Sequence, residues 1–108
     1  QMFFDNSKYF AFVERCRKEG IEVPIIPGIK PIVFKNQLTV LPKIFRSDIP
    51  EPFAAELRKC KSDEDAMEVG IEWCIGQCKE LIAHGVPSLH FYTLLASESV
   101  RRIAKEIY

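Results

Sequence analysis

The apolar positions change period along the chain, and the changes divide it into strands and helices. Residues 1–4 form an aromatic run suited to a buried strand. Residues 8–19 place Phe10, Val13 and Cys16 at i,i+3 spacing, with Tyr9 and Phe12 beside them. That stripe predicts a helix lying on a sheet. Asp5, Asn6 and Ser7 offer N-cap side chains before it, and Gly20 offers a helix-ending residue after it. Residues 22–26 read as a second buried strand. Pro27 lacks an N–H and is expected to end its pairing, in a rigid Pro27-Gly28-Ile29-Lys30-Pro31 loop.

Residues 34–45 carry a weaker helical pattern through Leu38, Leu41, Ile44 and Phe45, with Pro42 expected to kink or divide it. Residues 53–60 predict a short helix burying Phe53 and Leu57. Ser62, with Asp65 three positions on, resembles a capping box. It opens the longest helix, residues 63–84, striped by Met67, Ile71, Cys74, Cys78 and Leu81. Gly70 and Gly76 inside it suggest close packing, since glycine otherwise weakens a helix. Residues 88–94 predict a third strand, and residues 98–108 a final helix.

The resulting order is β-α-β-α-α-α-β-α, an α/β pattern with parallel strands. The first two strands suit burial on both faces, and an open three-stranded sheet leaves apolar edges that need cover. The simplest arrangement is a fragment of a TIM (β/α)8 barrel, covering about its last three strands and their helices. Residues 1–108 are then one incomplete domain. Its edges are expected to be covered by a missing N-terminal barrel segment or by another copy in a homo-oligomer. Function in such a barrel gathers at the C-terminal strand ends. That points to Asp5, the Pro27-Gly28 loop and the end of the third strand.

Composition narrows the classes. The chain is 47% hydrophobic and 28% charged, which favours a packed core over disorder. Fifteen basic residues balance fifteen acidic ones, so no net field selects nucleic acid or a membrane surface. No apolar run spans a bilayer, and no signal peptide is visible; a cytoplasmic location is expected. Four cysteines are too few for a disulfide scaffold, and Cys74 and Cys78 lack nearby histidines for a metal site.

The remaining polar candidates shape a ligand better than they perform catalysis. The Gln1 amide can donate to and accept from a heterocycle, or simply face solvent. Asp5 suits capping, Gln37 a solvated helical position, and His90 a hydrogen-bonded buried one on the same strand face as Tyr92. No nucleophile–base set, Gly-rich phosphate loop, metal motif or RNA-binding motif is present. No catalytic residue and no cofactor contact is assigned.

Four stretches together carry a specific likeness: residues 1–5, Gln-Met-Phe-Phe-Asp; residues 21–31 around Pro27-Gly28; residues 70–72, Gly-Ile-Glu; and residues 85–94, ending His-Phe-Tyr-Thr-Leu. In this order and spacing the chain resembles the 5,10-methylenetetrahydrofolate reductases, over essentially its whole length. The resemblance implies strands six to eight of a catalytic barrel that binds FAD. Such an enzyme passes hydride from NADH or NADPH through the flavin to methylenetetrahydrofolate, giving 5-methyltetrahydrofolate. It implies substrate contacts at Gln1, Gln37, Leu41 and Leu94. Leu41 stands where some members carry a stacking phenylalanine. Leu95-Ala96 replaces the usual Asn-Arg, removing a family charge. The family's acidic catalytic residues and most flavin contacts lie upstream, so the segment alone is expected to be inactive with little FAD affinity. The competing expectation is a noncatalytic interaction or regulatory fragment that binds a partner through its open sheet edge.

Overall fold

A computed structural model describes residues 1–108. Five helices surround a very small parallel sheet: α1 (Asn6–Lys18), β1 (Gly28–Ile29), α2 (Gln37–Phe45), α3 (Glu51–Lys59), α4 (Asp63–Ala83), β2 (His90–Phe91) and α5 (Ser97–Ile107). β1 pairs with β2 in parallel, Gly28 opposite His90 and Ile29 opposite Phe91. Met2 adds a single parallel bridge to Gly28 on the other side. The order of elements and the parallel sense follow the sequence pattern. The sheet is open and unclosed.

The second strand lies elsewhere than expected. Residues 22–26 pair with nothing in the sheet, and Val23 and Ile26 are exposed. Pro24 removes a ladder donor from within this stretch, and Pro27 removes the next one after it. Side chains take its carbonyls instead. Arg17 donates to Ile21 and Val23, and the Tyr9 hydroxyl donates to Ile25 at 2.7 Å. Pairing begins where it was expected to stop: the Pro27 carbonyl accepts from the His90 N–H. Proline lacks a donor but keeps its acceptor, so it fits the first position of a strand. The first and third strands are likewise shorter than the pattern suggested, reduced to the Met2 bridge and to His90–Phe91.

Side-chain alternation sends apolar groups to two cores. Met2 and Phe4 join Ile32, Leu41, Phe53, Leu57, Cys60 and Ala66, with Tyr92 against them. Phe3, Ile29 and Phe91 lie with Ile71, Cys74, Cys78, Leu81 and Ile103. The period-2 rule explains the division, because neighbours along an extended segment point to opposite faces. Helices therefore cover both faces of the short sheet.

The helix ends obey local chemistry. The Asp5 carboxylate accepts from the Ser7 N–H and hydroxyl, capping α1. Ser62 caps α4 by accepting from the Asp65 N–H. Gly20 and Gly85 follow α1 and α4 with φ of 83° and 77°, the left-handed geometry glycine tolerates. Pro42 does not divide α2, which runs through it. A forked ion pair joins the long helix to the last: Arg102 donates to both Glu68 oxygens at 2.6 and 2.8 Å.

Candidate functional site

The parallel register fixes which residues share a rim. Beyond the C-terminal ends of the paired segments lie Phe4-Asp5, Lys30-Pro31 and Tyr92-Thr93-Leu94. Gly28 permits close approach at the centre. A Cβ there would stand 2.8 Å from Tyr92 Cε2 and 3.3 Å from the Gln1 carbonyl oxygen. Tyr92 therefore lies directly over the β1 backbone. Its ring meets His90 edge-on, with centroids 4.8 Å apart.

A cavity of about 560 Å3 adjoins this region, lined by Gln1, Asp5, Lys8, Phe45, Arg46 and Ser47 among others. Gln1 is exposed, and its side-chain NH2 donates to the Phe45 carbonyl at 2.8 Å. Lys8 pairs with Asp48 at 3.3 Å. The buried Ser47 hydroxyl has no hydrogen-bond partner. The Ser7 hydroxyl, with help from the Ser7 N–H and Lys8, holds the Asp5 carboxyl below its ordinary range. Asp5 is thus a charged cap rather than a proton donor near neutrality.

The other sequence candidates occupy different surroundings. The Gln37 carbonyl oxygen accepts from the Val33 and Phe34 N–H groups at 2.8 and 3.0 Å, closing the turn before α2. It is half-buried rather than solvated. Leu41 is buried in the first core, and Leu94 is 79% exposed beyond β2. Gln1 and Gln37 sit at opposite ends of α2, separated by about 12 Å along its axis. His90 is exposed, not buried, because β2 is an edge strand with one open side. Lys30 is buried, and loss of hydration lowers its pKa.

Two residues not singled out from the pattern support the rim from behind. Trp73 donates its indole N–H to the Phe4 carbonyl at 2.9 Å, and Gln77 donates to the Phe3 carbonyl at 3.0 Å. Asn6 donates back to the Gln77 carbonyl and to Glu80. These bonds tie the end of the first strand segment to α4. The available signal was Gln77 itself, a polar residue within an apolar helical stripe.

The cavity presents the Gln1 amide, the Ser47 hydroxyl, apolar walls and the charged Asp5, Lys8, Arg46 and Asp48. It contains no paired acid and base. Four of the five helix N-termini, the usual seats for a pyrophosphate, are unsuited here. Acidic residues occupy the first turns of α3, α4 and α5 (Glu51; Asp63, Glu64 and Asp65; Glu98), and Asp5 caps α1. These four N-termini do not fit the phosphates of a dinucleotide. Three or more His, Cys, Asp or Glu side chains nowhere gather as a metal site.

Comparison with known proteins gives a consistent family. A family model described as methylenetetrahydrofolate reductase matches residues 1–108. A probable methylenetetrahydrofolate reductase (NADPH) of Caenorhabditis elegans is 38% identical over 109 residues, covering 99% of this chain and 16% of that protein. Methylenetetrahydrofolate reductase (NADH) 1 of Arabidopsis thaliana is 36% identical, covering 92% of this chain and 17% of its own length. The 5,10-methylenetetrahydrofolate reductase of Salmonella typhimurium is 33% identical, covering 91% and 33%. The chain thus spans between about a sixth and a third of the length of these relatives.

Proposed function

The chain belongs to the methylenetetrahydrofolate reductase family, and from that membership we propose that it is the folate-facing, C-terminal part of such an enzyme's barrel. The whole protein reduces 5,10-methylenetetrahydrofolate to 5-methyltetrahydrofolate in the cytoplasm. NADH or NADPH is the electron source. FAD, held by residues outside this chain, supplies the hydride relay when bound. Gln1 hydrogen-bonds the pterin, Gln37 supports substrate and nicotinamide, Leu41 gives an aliphatic wall in place of an aromatic one, and Leu94 closes the pocket. Ala96 supplies no charge where the family carries arginine, so folate and nicotinamide binding rely on the remaining contacts. The observation that carries this reading is the family match across residues 1–108.

The division of labour follows from what these residues can do. Amides donate to and accept from a pterin edge, orienting it, while apolar side chains exclude water. Hydride transfer needs the reactants held in close geometry by the complete barrel. The 108-residue segment alone is therefore inactive, and assembly with the upstream barrel segment or a further copy covers its sheet edges.

The test is purification of the protein encoded by the complete reading frame, with flavin absorbance and NAD(P)H oxidation measured with methylenetetrahydrofolate. A bound flavin and folate-dependent turnover are expected. Their absence overturns the proposal and favours the second reading, a noncatalytic module that binds a partner through the open edge of the parallel sheet.

A further inference from the structure

Lys30 is the one charged residue among the buried polar side chains, 8% exposed. It follows β1 directly. The Tyr92 N–H donates to the Ile29 carbonyl at 2.9 Å, which carries the ladder past Phe91 and sets Lys30 beside Tyr92 at the C-terminal end of the sheet. Ile29 before it and Pro31 after it are buried too, so the chain at Lys30 is held from both sides. Further chain laid over the open sheet edges deepens this burial, so it carries over to the complete protein.

No carboxylate answers the charge. Lys30 forms no ion pair within this chain. The titratable group that acts on it is the Cys74 thiol, which burial keeps neutral. The arginines of α5 differ: Arg101 donates twice to Glu98, and Arg102 twice to Glu68. Removing an ammonium from water without a partner is costly, so a buried one needs an opposite charge from elsewhere. The C-terminal strand end, where Lys30 stands, is where a barrel gathers its ligand contacts. Residues 92–96, which follow on the neighbouring strand, carry no cation of their own.

We propose that Lys30 is a specificity-determining residue of the folate pocket, its ammonium pairing with a carboxylate of the substrate's glutamate tail. The inference rests on the folate reading above and extends it to the far end of the ligand. A folate carries a polar pterin at one end and carboxylates at the other. An amide for the first and an ammonium for the second fix its direction in the pocket. A charge-assisted hydrogen bond made in a water-poor place is strong. Without ligand the same charge stands unpaired, so Lys30 lowers stability while it adds selectivity.

Steady-state kinetics and thermal unfolding of the full-length protein test this, with wild type, Lys30→Met and Lys30→Arg. The substrates are methylenetetrahydrofolate and methylenetetrahydropteroate, which ends before the glutamate. Lys30→Met should raise KM for the folate by about tenfold or more with kcat little changed. Its KM for the pteroate and for NAD(P)H should equal that of wild type, and Lys30→Arg should keep most of the folate affinity. The unfolding midpoint of Lys30→Met should match or exceed that of wild type, because a buried unpaired charge is gone. An equal KM change for folate and pteroate, or none for either, overturns the proposal. A lowered midpoint with an unchanged folate KM also overturns it, and assigns Lys30 to a carboxylate in the rest of the protein. A change confined to the NAD(P)H KM overturns it in favour of the nucleotide. Wild-type protein that turns over neither substrate counts against the folate reading itself, and the inference falls with it.

Discussion

Gly70 of α4 and Ile32 of the loop after β1 meet backbone to backbone. A Cβ at Gly70 would stand 2.1 Å from the Ile32 carbonyl oxygen. This contact seats the longest helix on the chain that leads from the central strand to the rim. Gly76, six residues further along the same helix, would meet nothing within 4 Å. Gly70→Ala is expected to cost about 3 kcal/mol or more, since a backbone neighbour cannot rotate away. Gly76→Ala is expected to stabilise by up to about 1 kcal/mol through helix propensity. Urea denaturation of the two variants checks the contrast, and equal effects would refute it.

The sequence showed that both glycines were unusual in a helix but not which one mattered. That distinction depends on a loop nearly forty positions away. Order and type of the helices were legible, because caps and apolar stripes act locally. Strand position was not. Pro24 removed a donor within residues 22–26 and Pro27 the one just beyond, and Arg17 and Tyr9 took carbonyls of residues 21, 23 and 25. The pairing moved to Gly28–Ile29, where Pro27 still contributes its acceptor.

Leu41 gives a packing test of the position that the family resemblance pairs with a stacking phenylalanine in some members. It is 4% exposed, against Met2, Phe4 and Phe53 among others. Leu41→Ala should cost about 2–5 kcal/mol through the cavity it leaves. Leu41→Phe should cost about 1–3 kcal/mol through overpacking. Thermal unfolding midpoints measure both. A phenylalanine accepted without loss would show that the side chain has open space in solution.

Asp5 sets an acid limb. Its folded pKa lies below the ordinary value of 3.8, chiefly through the Ser7 hydroxyl. The unfolded chain therefore takes up the proton first as pH falls. The cap's stabilisation is present above about pH 4 and is lost as pH drops through the folded pKa. Asp5→Ala should cost about 1 kcal/mol at neutral pH and flatten this limb. Denaturation midpoints from pH 2 to 7 provide the check, and parallel curves for wild type and variant would contradict it.

Cys78 sets an opposite, alkaline limb. Burial pushes its thiol from the ordinary 9.0 up to about 11. Here the unfolded chain loses its proton first. Stability is therefore full below about pH 9 and falls as pH rises toward 11. Cys74, between Cys78 and Lys30, is pushed upward as well, mainly by burial. Cys78→Ala should show a shallower decline over this range. Both thiols should resist alkylation near neutrality until the chain unfolds.

How much of the site was legible differs from residue to residue. Asp5 behaves as the cap its position suggested. The resemblance selected Gln1 and Gln37 as ligand amides, but their present hydrogen bonds to Phe45, Val33 and Phe34 depend on how α2 folds back. Trp73 and Gln77 brace the rim through backbone carbonyls of residues 3 and 4, roughly seventy positions distant in sequence. No local period reports such bonds.

The central claim is that this chain supplies the folate side of a flavoprotein reductase. Its most direct test is anaerobic reoxidation of the reduced flavin by methylenetetrahydrofolate in the full-length protein, wild type against Gln1→Ala. The account predicts folate-driven reoxidation in wild type. In the variant it predicts a fall of about tenfold or more at subsaturating folate, from loss of a hydrogen-bond donor to the substrate. Failure of folate to reoxidise the wild-type flavin, or an unchanged rate in Gln1→Ala, would contradict it.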